Sequence, residues 1–139
     1  MPELHTYDYA IVRVVPRVER GEFINAGIIL YCGSADVLSA RIELDEQRLL
    51  ALEPALDLDA IKVSLAAIPA ICAGGASAGA IGLLSPRERF DWLVAERSTS
   101  IQTSPVHSGR CSDPNAALEH LLVRMVRRPR ALADAGLSR

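Results

Sequence analysis

Two short stretches carry more polar chemistry than a fold requires. The first runs from Val12 to Gly27, where Arg13, Arg17, Glu22 and Asn25 punctuate otherwise apolar residues. If two strands pair across Glu19-Arg20-Gly21-Glu22, Arg17 falls beside Glu22, and Arg13 falls near Asn25 or Gly27. A guanidinium steadied by a carboxylate presents its fork to an anion or to a partner's carboxylate. The plainer reading is a cross-strand ion pair and a hydrogen-bonded Asn, each contributing well under about 1 kcal/mol if exposed. Gly27 within a strand marks a bulge or a close backbone approach. The second stretch, Arg97 to Gly109, holds Arg97, Ser98, Thr99, Gln102, Ser104 and His107. Alternation places Ser98, Ser100, Gln102 and Ser104 on one face, a hydroxyl-rich ribbon with His107 beyond Pro105. A Ser/His pair can serve nucleophilic catalysis, but the chain has no Gly-x-Ser-x-Gly elbow and no His-x-x-x-His spacing, so no catalytic residue is assigned.

The remaining chemistry is sparse. Cys32, Cys72 and Cys111 are widely spaced, with no Cys-x-x-Cys pair and no His at metal-ligand intervals, which encodes neither a disulfide framework nor a metal site. Each is expected to be a small buried hydrophobe. Fifteen basic against 17 acidic side chains leave a formal charge of −2, which does not advertise a nucleic-acid surface. Nucleic-acid binding is not expected, although Arg124, Arg127, Arg128 and Arg130 cluster near the end of the last helix, where cations complement its macrodipole. No run reaches the roughly 18 to 20 apolar residues of a membrane span, and the N-terminus lacks the basic and apolar blocks of a secretory signal. A cytoplasmic protein without membrane contact is expected.

The elements that must position these residues are legible in outline. Tyr7 to Val18, Phe23 to Cys32 and Val37 to Leu44 read as three strands with short connections, hence an antiparallel meander. The Ser/Thr-rich ribbon is a candidate fourth strand. Both faces of the second strand are apolar, so either helices or another subunit must cover the second one, and a homodimer is expected on that ground. Asp45 to Leu52 reads as a short helix. A longer one begins near Asp57, with an apolar stripe of Leu58, Ile61, Leu65, Ile68 and Cys72 and a bend or restart at Pro69. The glycine-rich stretch from Gly74 to Gly82 reads as a mobile loop. Ser85-Pro86-Arg87-Glu88 is a capping box, and Asp113-Pro114 opens the last helix. The sequence thus predicts an α+β fold: a meander of three to four strands packed against two to three helices, in a single domain over residues 1–128 with a basic, frayed tail over 129–139.

The segments YDYAIVRVVPRVERGEFINAGIILYC (7–32), SPRERFDWLVAERSTSIQTSPVHSG (85–109) and DPNAALEHLLVRMV (113–126) together resemble the bacterial family known as domain of unknown function 3037. The resemblance runs nearly end to end, and is only in outline over residues 43–84. It implies a small α/β domain with no established activity and no cofactor, hence no catalytic residues to carry over. It also implies a gene neighbourhood shared with a HipA-type kinase. The expected function is an accessory or binding module partnering such a kinase. The alternative is a small enzyme acting on an anionic or nucleotide-like substrate, which requires Arg13, Arg97 and His107 to converge in one pocket, with Arg17 as a further anion clamp.

Overall fold

The computed structural model describes residues 3–129. The tail expected from residue 129 lies, from residue 130 on, outside the described residues. Strands form where alternation and β-branched runs place them: β1 (His5–Val14), β2 (Ile24–Cys32) and β3 (Val37–Ile42). β2 pairs antiparallel with β1 on one side and β3 on the other. The ribbon supplies two strands, β4 (Ile101–Thr103) and β5 (His107–Cys111), laid end to end along the other edge of β1. The fold is therefore the expected α+β class, with a sheet of five antiparallel strands.

Ser104 is what divides β4 from β5. It is 3% exposed. Its N–H donates to the Ile11 carbonyl at 2.9 Å, while its Oγ accepts from the Ile11 N–H at 2.8 Å and donates to the Pro105 carbonyl at 2.9 Å. The hydroxyl thus stands in for a ladder carbonyl beside a proline that has no donor to offer. A buried Ile11 N–H without that oxygen would cost about 1–3 kcal/mol.

Four helices follow from their caps. The side chains of Asp45, Asp57, Ser85 and Asp113 accept N–H groups at the starts of α1 (Glu46–Leu52), α2 (Leu58–Ala73), α3 (Pro86–Leu93) and α4 (Pro114–Leu121), each contributing about 1 kcal/mol. α2 runs on through Pro69, so of the expected bend or restart the restart does not occur. The bond that proline removes is offset by the buried stripe of Ile61, Leu65, Ile68, Ile71 and Cys72. Past its end, the Arg89 guanidinium donates to the carbonyls of Ile71 at 2.8 Å and Cys72 at 2.6 Å, tying α2 to α3. The glycine-rich stretch, expected as a mobile loop, contains two 3-10 turns, Ala76–Ala78 and Ile81–Leu83. A Gly75 N–H to Gly82 carbonyl bond of 2.8 Å closes it. A Cβ on Gly82 would stand 2.2 Å from the Gly75 oxygen, so the closure needs a glycine there.

Helices cover the sheet on both sides. α1, α2 and α3 bury Val12, Val14, Ile24, Ala26, Ile29 and Ala40. α4 and a single π turn (Leu122–Val126) bury Ile28, Leu30 and Cys32 on the opposite face. Cover for the second face of β2 therefore comes from within the chain rather than from another subunit. Cys32 and Cys72 are buried as expected, whereas Cys111 is only half-buried. Burial pushes the Cys72 thiol up to about 12, which keeps it protonated at neutral pH. Among the described residues no helix is long and apolar enough to cross a membrane.

Arginines just past the π turn are tied to carboxylates that follow β3 and to one on α4. Arg127 makes a forked contact with Glu43 at 2.7 and 2.9 Å and reaches Glu119 at 2.7 Å, while Arg128 reaches Asp45 at 2.7 Å. Hydrogen bonds from Arg127 hold the Glu43 and Glu119 carboxyls below the usual glutamate value of 4.5. The Arg48 N–H and then Arg128 do the same for Asp45. Because these groups hold protons less tightly folded than unfolded, their contribution is full above the unfolded carboxylate values and is lost as pH falls through the lowered ones. Urea midpoints are expected to fall from about pH 5 downwards. Arg127→Gln should flatten that fall, and an unchanged slope in the variant would show the clasp to be inert.

Candidate functional site

A bulge aims the first polar segment. β1 and β2 pair one to one from Asp8–Tyr31 to Val12–Gly27, then skip Ala26, so that Arg13 stands opposite Asn25. The extra residue turns Arg13 and Asn25 onto the same face, the one that carries α4. Asn25 Nδ2 donates to the Met125 carbonyl in the π turn at 2.9 Å, and its Oδ1 is buried with no partner among the described residues. Arg13 lies over the Phe23 ring at 4.2 Å. Its Nε is likewise buried and unpartnered, and its guanidinium makes no ion pair among the described residues.

Arg17 and Glu22 part company. The chain between β1 and β2 is not a tight hairpin but carries a 3-10 turn at Val18–Arg20. Arg17 reaches across to Glu53 at 2.7 Å, and Glu22 pairs with Arg20. The expected Arg17–Glu22 pair is absent because that turn separates the two strand ends and Glu53, remote in sequence, offers the nearer carboxylate.

Arg97 is held from behind. Its guanidinium donates to the carbonyls of Trp92 at 2.6 Å, Leu93 at 3.0 Å and Ala95 at 3.2 Å, and stacks on Trp92 at 4.5 Å. All three partners are neutral carbonyls at the end of α3, so the positive charge has no counter-charge there. Thr99 Oγ1 donates to the Ile101 carbonyl, and Gln102 Nε2 donates to the Thr99 carbonyl, both at 2.9 Å, folding the start of the ribbon onto itself.

These pieces meet in one polar cleft of about 530 Å³, lined by Arg13, Glu96, Arg97, Ser98, Gln102, Thr103 and Pro105. Two guanidiniums face one carboxylate, that of Glu96, and neither is paired with it. Behind the same ridge, an apolar pocket of about 350 Å³ opens between α2, α3 and β4, with Ile68, Ile71, Trp92, Leu93 and Ile101 among its walls. Arg97, Thr99, Gln102 and Thr103 border that pocket too.

Arg13, Arg97, Ser98 and Gln102 are thus brought together, with Thr99 on the ridge. Arg17, Glu22 and Ser104 are not, Ser104 being consumed by the backbone of Ile11. His107 is exposed, opposite Tyr9 in register, with its ring 5.6 Å from the Tyr9 ring. It does not line the cleft, so the trio that an Arg/His enzyme site requires is incomplete. Among the described residues no three His, Cys, Asp or Glu side chains gather as metal ligands would. Sequence reasoning missed Glu96; Phe23 and Trp92, whose rings flank the two polar segments in the sequence, lie under the guanidiniums of Arg13 and Arg97.

No curated protein and no solved structure matches the chain. A family model described as protein of unknown function, DUF3037, matches residues 9–126, a span that holds every residue of the polar cleft and of the pocket behind it. The chain belongs to that family.

Proposed function

We propose that the protein is a cytoplasmic binding module, accessory to a HipA-type kinase, and that the kinase docks at the Arg13–Arg97 cleft. The observation that carries this reading is the pair of guanidiniums that, among the described residues, have no counter-charge, one of them with a buried Nε that has no acceptor. A carboxylate or phosphate entering the cleft would supply the missing counter-charge through charge-assisted hydrogen bonds. The kinase named is the one the family resemblance implies, and one copy of the chain suffices, since the sheet needs no second subunit for cover.

Titration calorimetry with a HipA-type kinase from the same organism tests the reading. Arg13→Gln is expected to weaken binding by about tenfold or more. Arg110→Ala, on the exposed face of β5 and away from the cleft, should bind as the parent does. Equal affinity in the parent and Arg13→Gln, or no binding by the parent, would refute it.

A further inference from the structure

Among the described residues the outer edge of β4 is unpaired, and the ladder fixes which groups it offers. Val15 N–H donates to the Ser100 carbonyl at 2.7 Å and Ser104 N–H to the Ile11 carbonyl at 2.9 Å. Arg13 and Gln102 are therefore the hydrogen-bonded pair between them, while Val12–Thr103 and Val14–Ile101 are the non-bonded pairs. It follows that the N–H and C=O of Ile101 and Thr103 point away from β1. β4 is the end of the sheet on this side, and among the described residues the Thr103 backbone groups and the Ile101 N–H have no partner. Among the described residues the Ile101 carbonyl is met by the Thr99 hydroxyl alone.

The two cavities flank this edge on opposite faces. Ile101 and Thr103 share the face of Val12 and Val14, where the apolar pocket lies; Gln102 shares the face of Arg13, where the polar cleft lies. A strand added to the edge sends successive side chains to opposite faces. One would enter the apolar pocket against Ile68, Ile71 and Trp92, and its neighbours would meet Arg13 and Arg97.

Resting on the reading above, we infer that β4 is a peptide-docking edge. It takes an extended segment of the partner protein, antiparallel or parallel, in which an acidic or phosphorylated residue stands next to a large apolar one. Main-chain bonds to Ile101 and Thr103 hold the segment, and the two cavities select its side chains. Charge complementarity fixes the sign: the cleft presents two unpaired guanidiniums to one carboxylate.

The test pans the full-length protein against a display library of random peptides about ten residues long, enough to contain one strand, and follows the consensus peptide by amide exchange. The expected consensus places Asp or Glu beside Leu, Ile, Val or Phe. The expected footprint is slowed exchange at Ile101 and Thr103, with about tenfold or more weaker binding in Arg13→Gln. No enrichment, a consensus without the acidic–apolar neighbours, or binding that leaves those two amides unprotected would each overturn the inference. Thr103→Pro separates the two proposals, because its N–H faces outward and its loss leaves the β1 ladder intact. If this variant still shows slow exchange at Arg13 yet binds the kinase as the parent does, while Arg13→Gln does not, the docking cleft stands and strand addition fails. The footprint on the parent protein decides the matter if Thr103→Pro does not fold.

Discussion

Phe90→Ala is expected to lower the unfolding free energy by about 3–5 kcal/mol, the largest loss among the substitutions considered. Phe90 is fully buried. Its ring stacks on Tyr31 of β2 with centroids 5.7 Å apart, and the Arg87 guanidinium lies 5.7 Å from it on its way to Asp8 of β1. α3 is eight residues long and buries only Phe90 and Leu93, so truncating one anchor leaves the helix too little apolar contact to hold its place. A helix this short is not stable alone. The consequence reaches the site, because the carbonyls of Trp92 and Leu93 that hold Arg97 belong to the last turn of α3. Urea unfolding should show a lower midpoint with the slope unchanged, and the variant's affinity for an acidic ligand should fall with the loosening of Arg97. A loss under about 1 kcal/mol, no larger than that of an average substitution, would mean that α3 is held by something other than its core face.

Signals that act within a few residues were legible in the sequence. Asp45, Asp57, Ser85 and Asp113 all serve as caps because the rule relating a short acceptor to the N–H two or three residues on is local. The first three strands follow from alternation for the same reason. Choices made across the sheet were not legible. Arg17 had carboxylates at Glu19, Glu22 and Glu53 to choose from, and the one 36 residues away won at 2.7 Å once the connecting turn had formed. Arg127 and Arg128, whose position at a helix end suggested the macrodipole, found Glu43 and Asp45, about eighty residues earlier. Ser104 fell on the hydroxyl face of an ideal strand, yet Pro105 removed a donor and the ladder of β1 claimed the hydroxyl. The cleft itself was half visible. Arg13, Arg97, Ser98 and Gln102 were singled out by type, but the omission of Ala26 from the pairing, which sets Arg13 opposite Asn25, leaves no mark except the glycine beside it.

That glycine carries the second large effect. Gly27→Val is expected to cost about 3 kcal/mol, the upper end of what overpacking usually costs. Gly27 lies in the central strand, opposite Val12 on β1 and Ile42 on β3. A Cβ there would stand 2.6 Å from the Arg41 carbonyl oxygen and 2.7 Å from Ile42 Cδ1. Ile42 can turn its methyl aside, but the carbonyl is part of the backbone, so β3 must move away from β2. Glu43 follows directly on β3 and accepts the fork of Arg127, and its N–H donates to the Ala26 carbonyl at 2.8 Å. Displacing β3 therefore strains the bulge that aims Arg13 and the ionic clasp that seats the end of α4. Amide exchange should quicken first along β3 and at Glu43, while α3 keeps its protection. Gly109→Ala is the useful contrast. Its Cβ would meet Tyr7 ring atoms at 2.6 Å, but that ring is a half-buried side chain that can swing outward, so the loss should be smaller. Equal losses at the two positions would show that the approach of β3 to β2 can relax. A greater loss at Gly27 would show that this one residue sets both the spacing of the central strands and the direction in which Arg13 points.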